Sequence, residues 1–247
     1  MLNCARRSII QPMVRVKDRH IYGAEILLRI NDVQRNAVFN AFEISKIAQE
    51  ENKTHMITNS IINYIGSLYS DYGKSTFALN DFNRICINID ETYLKDLELI
   101  KNVSKLIKAN KIPNNFISFE IPENMIPEHI DQIKSLAAEL KNDHVYFSVD
   151  RYTGKYIGTK LLKEVGFDEI KIDRSIIMMI DKDSIRLREL VDIVSNAHKE
   201  GLNVAGVGVE NETQFNMLKG LDPEMMVQGY YLYKPLSRSD LIAAIIS

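Results

Sequence analysis

Apolar positions along the chain follow two alternating rhythms. Short runs rich in Ile, Val and Phe at 84–89, 115–121, 145–150, 169–173, 202–209 and 226–232 read as strands. Between and beyond them, apolar residues recur every three or four positions and predict helices at 37–51, 54–70, 128–141, 157–165, 184–200, 212–219 and 238–246. In the first of these, Val38, Ala41, Phe42, Ile44, Ile47 and Ala48 share roughly one face. Strands alternating with helices are the pattern of parallel βα units. The start departs from it. Runs 9–16 and 21–30 are separated only by Lys17-Asp18-Arg19-His20, which predicts an antiparallel, hairpin-like pair. Asp183 or Ser184, and Asn211, are the expected N-caps, while Pro113, Pro122, Pro223 and Pro235 stand at element boundaries.

At 247 residues the chain has the size of an α/β protein built as a (β/α)8 TIM-like barrel with an antiparallel first strand. Hydrophobic residues make up 45% and charged residues 26%, ordinary values for a globular protein, and one domain over 1–247 is expected. A net charge of -2 provides no basic field to hold nucleic acid, so direct nucleic-acid binding is not expected. Cys4 and Cys86 cannot build a disulfide framework, and no Cys/His spacing suits zinc. No apolar run approaches the length of a membrane span and no leader pattern is present. The expectation is a cytoplasmic protein without a membrane anchor.

The candidate chemistry sits at the ends of the apolar runs: Glu25, Asn88, Glu120, Asp150, Lys171 and Glu210. In a β/α barrel the carboxyl ends of the strands converge on one mouth, so these side chains are expected to meet there. Carboxylate and amide oxygens gathered in this way are ligands for hard divalent cations. Plainer roles compete with that one. Glu25 could pair with Arg29, Asn88 could cap a helix beginning near Glu91, Asp150 could pair with Arg151 or Arg174, and Lys171 could simply neutralise Glu120 and Asp150.

Several segments in order resemble the EAL family of cyclic di-GMP phosphodiesterase domains. They are Gln11-Pro12, Gly23-Ala24-Glu25-Ile26-Leu27-Leu28-Arg29, Asn88-Ile89-Asp90, Phe119-Glu120-Ile121-Pro122-Glu123, Lys171-Ile172-Asp173, Gly208-Val209-Glu210, Gln228-Gly229-Tyr230 and Lys234-Pro235. The resemblance implies metal-ligand positions at Glu25, Asn88, Glu120 and Asp150, a catalytic Lys171 near the attacking water, and Glu210 as an outer support. It implies nucleotide contacts at Gln11, Leu27, Arg29, Asp150, Gln228 and Pro235. Active members of the family use Mg²⁺ or Mn²⁺ in pairs to generate the attacking hydroxide.

The chain also departs from the pattern. The Asp-Asp-Phe-Gly-Thr-Gly loop of the family reads Val149-Asp150-Arg151-Tyr152-Thr153-Gly154, followed by Lys155, and Ala-Glu-Gly-Val-Glu reads Gly206-Val207-Gly208-Val209-Glu210. Aligned in this way, Val149 and Val207 replace two acids, and neither can bind a cation. The expectation is a catalytically degenerate EAL regulator without a required cofactor, similar to an enteric branch of stand-alone members that restrain the flagellar master transcription regulator. It is expected to act in motility or biofilm control by binding a protein partner, a transcription regulator rather than DNA, with cyclic di-GMP as an optional ligand. The alternatives are a cyclic di-GMP receptor without hydrolysis and a weak phosphodiesterase using Mg²⁺ or Mn²⁺.

Overall fold

A computed structural model of the chain describes residues 5–6, 9–27, 29–32, 37–50, 54–89, 91–94 and 97–247. Eight strands close a barrel: β1 (Ile9–Arg15), β2 (Ile21–Leu27), β3 (Arg84–Asn88), β4 (Ile117–Pro122), β5 (Tyr146–Tyr152), β6 (Glu169–Ile172), β7 (Asn203–Val207) and β8 (Met226–Gln228). Around the barrel the order is β7-β8-β1-β2-β3-β4-β5-β6, with β6 pairing to β7. Strand β1 runs antiparallel to both β2 and β8, and the other pairs are parallel. The short connection after β1 forces this reversal, because a parallel crossover needs about a dozen residues or more. As a result the beginning of β1 lies at the carboxyl ends of the other strands, with Gln11 beside Glu25.

The outward faces of the strands supply the core. Ile85, Ile87, Phe119, Ile121, Phe147, Val149, Ile170 and Val204 are buried against helix residues such as Ile62, Ile65, Val103, Leu136, Leu162, Leu190 and Leu218. Each such side chain contributes roughly 1.5–3 kcal/mol by leaving water. The caps hold the ends of two of these helices. Asp183 accepts the Ile185 N–H at 2.8 Å before the helix Ser184–Lys199, and Asn211 accepts the Gln214 N–H at 2.9 Å before Glu212–Leu221. Among the described residues no helix is long and apolar enough to cross a membrane.

Three expected elements differ, and one element was not expected. Run 21–30 is not one strand: β2 stops at Leu27, and Arg29–Asp32 belongs to a separate three-stranded sheet with Ala5–Arg6 and Ala37–Asn40. The helix expected from 37 begins only at Ala41, because Ala37–Asn40 pairs antiparallel with Arg29–Asp32 and Phe39 lies opposite Ile30. Residue 28 of that strand and residue 51 of that helix lie outside the described residues. The helix Leu97–Ala109, the crossover between β3 and β4, was not expected, although its apolar positions Val103, Leu106 and Ile107 carry the helical period. The last run yields only three strand residues. It turns at Gly229, where an added Cβ would lie 2.1 Å from the Val209 carbonyl oxygen, so only glycine lets the two backbones meet.

Inside the lower barrel, Arg84 donates to Glu169 at 3.2 Å, Ser148 donates to the same carboxylate at 2.9 Å, and the guanidinium lies 3.5 Å from the centre of the Tyr146 ring. This pair is buried, so breaking it leaves an uncompensated charge. Glu169→Ala is expected to destabilise the fold by roughly 3–5 kcal/mol in urea unfolding, and the double change with Arg84→Met to recover much of the loss.

Candidate functional site

Alternation along the strands divides the barrel residues into two sets. One row of partners runs Cys86–Ser118–Tyr146 and another Asn88–Glu120–Ser148–Glu169–Asn203, and these side chains face inward. The row Ile87–Phe119–Phe147 between them, and the row Ile121–Val149–Ile170–Val204 one residue further toward the carboxyl ends, face the helices. The inward set ends at the carboxyl edge in Glu25, Asn88, Glu120, Asp150, Lys171, Val207 and Gln228.

Lys171 organises this mouth. Its side chain is 1% exposed, and its ammonium donates to Glu120 Oε1 at 2.6 Å and Glu25 Oε2 at 3.1 Å. The Asn88 amide donates to Glu25 Oε1 at 2.7 Å and Gln228 Nε2 to Glu25 Oε2 at 3.2 Å. Four strands therefore meet on one carboxylate. The second oxygen of Glu120 is buried and has no hydrogen-bond partner among the described residues.

These contacts separate the acids electrostatically. Burial raises the Glu25 pKa, but the Lys171 charge and the donated hydrogen bonds outweigh it, so Glu25 is held below the usual carboxylate range. Glu120 is pushed up to about 8, first by burial and then by the Glu25 charge, because that carboxylate already claims the ammonium. Burial raises Asp150 as well. Lys171 is held well above its ordinary value: burial works against its charge, and the facing carboxylates overcome it.

One expectation about this site is corrected. Val149 does not occupy the place of a mouth acid, because its register with Ile121 and Ile170 turns it outward into the core, where it is fully buried. The inward acid at this strand end is Asp150, and the residue that follows is Arg151. Register between β5 and β6 shifts between Val149 and Tyr152, and Arg151 takes φ +53°, a bulge at the rim of the mouth. Its Nε donates to Asp150 Oδ2 at 3.2 Å while the side chain stays 65% exposed. Val207, by contrast, lies in register with Gln228 and faces inward.

The remaining candidates are spread around the rim. Gln11 and Leu27 lie at the mouth ends of β1 and β2, and Pro235 precedes Leu236, whose backbone bridges Ile10. The backbone of Arg29 pairs with Asn40 outside the barrel, and its side chain lies outside the described residues. Glu210 is not joined to the Lys171 network by any hydrogen bond among the described residues. Its carboxylate instead takes the guanidinium of Arg174. Glu123 has a role the sequence did not show. Buried, it accepts the Thr153 N–H at 2.7 Å, the Thr153 hydroxyl at 2.8 Å and the Tyr156 N–H at 3.2 Å, and so clamps the loop after β5. Its partners lie some thirty positions further along the chain, beyond the reach of any local signal.

The architecture is that of a barrel with a carboxylate-lined mouth centred on a buried lysine. Residues 5–235 match the EAL domain, and the chain belongs to that family. It is 25% identical over 235 residues to the oxygen sensor protein DosP of Escherichia coli K12, covering 95% of this chain and 29% of that protein. It is 28% identical over 159 residues to the cyclic di-GMP phosphodiesterase PdeL of the same organism, covering 64% of this chain and 39% of the relative. The chain thus spans well under half of the length of these curated relatives. Among solved structures, the PaMucR phosphodiesterase in complex with c-di-GMP superposes with a TM-score of 0.84 at 22% identity, covering 95% of this chain and 93% of that one.

Proposed function

We propose that this chain is a non-hydrolysing EAL domain that binds a cyclic dinucleotide of the cyclic di-GMP type in its mouth and serves as a regulatory module. The observation that carries the reading is the shortage of free acid. Three carboxylates, Glu25, Glu120 and Asp150, face the mouth, and two of them are already bound to Lys171. Val207 adds an apolar surface where the family pattern has a glutamate. Two divalent cations carry four positive charges and repel each other strongly at close range, so a pair needs several unengaged anionic ligands. Among the described residues no three His, Cys, Asp or Glu side chains converge in metal-ligand geometry. The donors do not fit a cation pair, and no hydrolytic step is assigned to them.

In this reading Gln11, Leu27, Gln228 and Pro235 line the approach for the nucleotide, and the Lys171 network holds the mouth in one conformation. The domain, one unit over 1–247, acts in the cytoplasm. The expected protein partner, a transcription regulator in motility or biofilm control, receives the signal downstream. A single observation favours a second reading, a weak phosphodiesterase with one Mg²⁺ or Mn²⁺ on Glu25, Asn88, Glu120 and Asp150: Glu120 Oε2 is a donor atom without a partner.

One experiment separates the two readings. Purified protein is incubated with cyclic di-GMP and Mn²⁺, and the products are resolved by chromatography beside a calorimetric titration on the same preparation. Binding without a linear dinucleotide product is expected. Metal-dependent linear product that disappears in Glu25→Gln establishes the phosphodiesterase instead.

A further inference from the structure

We infer that Arg151 takes the place of metal at this mouth, its guanidinium serving as the ligand for a phosphodiester group of the nucleotide. The inference rests on the binding reading above. Of the described cations at the mouth, Lys171 is buried between Glu25 and Glu120, and Arg174 is taken by Glu210. Arg151 differs from both. Among the described residues only its Nε is engaged, with the neighbouring Asp150, and the side chain is 65% exposed. A guanidinium has five N–H donors in a planar fork, so the four on its terminal nitrogens remain to meet a phosphate in bidentate fashion.

The backbone supports this placement. A non-glycine residue at φ +53° is disfavoured by roughly 1–2 kcal/mol, a conformation kept where the surroundings impose it. Here the bulge at the end of β5 and the Glu123 clamp on Thr153 and Tyr156 hold both sides of Arg151. Asp150, 16% exposed and facing the mouth, fixes the near edge of the guanidinium.

Charge favours it too. The mouth holds the acidic groups of Glu25, Glu120 and Asp150 against the cations Lys171 and Arg151, three against two when all are ionised. An acid at position 151 would make that four against one, and a phosphate could then enter only with metal cations. With arginine there, the approaching anion meets a nearly balanced pocket with an open fork at its edge.

The test is titration calorimetry of cyclic di-GMP into the full chain, in excess EDTA and again in Mn²⁺. Wild type is expected to bind with similar affinity in both. Arg151→Asn, which tolerates a left-handed backbone, is expected to bind roughly tenfold to a hundredfold more weakly, the value of a charge-assisted contact. Arg151→Lys should fall between, and Arg151→Asp should bind only when Mn²⁺ is present. Melting temperatures close to wild type for the variants exclude misfolding as the cause. Wild type that binds equally well with Arg151→Asn, or that binds only with Mn²⁺, overturns the role of Arg151 while leaving nucleotide binding intact. Wild type that binds in neither condition removes the binding reading itself and the inference with it.

Discussion

Replacing Lys171 with methionine is expected to cost roughly 3–5 kcal/mol of folding stability, the usual cost of stranding buried charges. The lysine is 1% exposed and compensates both Glu25 and Glu120, so its removal leaves two carboxyl groups in the barrel with no cation within hydrogen-bond distance. Asn88 and Gln228 still donate to Glu25, and Glu120 loses its donor altogether. Urea unfolding at neutral pH measures the loss. Because the stranded acids are best accommodated protonated, the deficit should shrink in acid. Adding Glu120→Gln to Lys171→Met should recover part of it, since the second change removes one of the stranded acidic groups. A loss below about 1 kcal/mol, the range of ordinary surface changes, contradicts the proposed organisation of the mouth.

Glu120 sets the second large effect, in the dependence of stability on pH. Its pKa is raised from 4.5 to about 8, so the folded protein holds this proton more tightly than the unfolded chain does. The stability from that proton is therefore complete below about pH 4.5 and is lost as pH rises through about 8. At about 1.4 kcal/mol per pKa unit the full swing is on the order of 5 kcal/mol, an upper figure for a group with a lysine partner. Glu25 works in the opposite direction. Its lowered pKa contributes stability above the ordinary carboxylate range and loses it only as pH falls through the depressed value. Between the two ranges Glu120 governs. Wild type should lose stability from about pH 5 to about pH 9 while Glu120→Gln holds nearly level, as followed by urea unfolding across that range. Parallel curves for the two proteins contradict the assignment.

The barrel was legible because strand runs and helical periods alternate regularly, and the reversed first strand because its connection is so short. Residues 37–40 misled because Val38 and Phe39 suit a helix face and a strand equally. Only pairing with Arg29–Asp32, a contact between segments, decides between the two. The mouth residues could be read from their place at strand ends, which is how Glu25, Asn88, Glu120, Asp150 and Lys171 were found. Which way a residue faces was harder to see. Two adjacent positions at a strand end point to opposite sides, and a bulge follows directly, so Val149, expected at the mouth, faces the helices and Asp150 faces inward. The sharing of Glu25 by Lys171, Asn88 and Gln228 joins strands far apart in sequence and has no local signature.

The central claim is that the charges of this mouth are matched largely from within, so that it does not take up a pair of cations. The most direct test is the stoichiometry of Mn²⁺ bound to the protein saturated with cyclic di-GMP, measured by equilibrium dialysis with metal analysis. The account predicts fewer than two Mn²⁺ per chain even with the nucleotide in place; two tightly bound Mn²⁺ per chain contradict it.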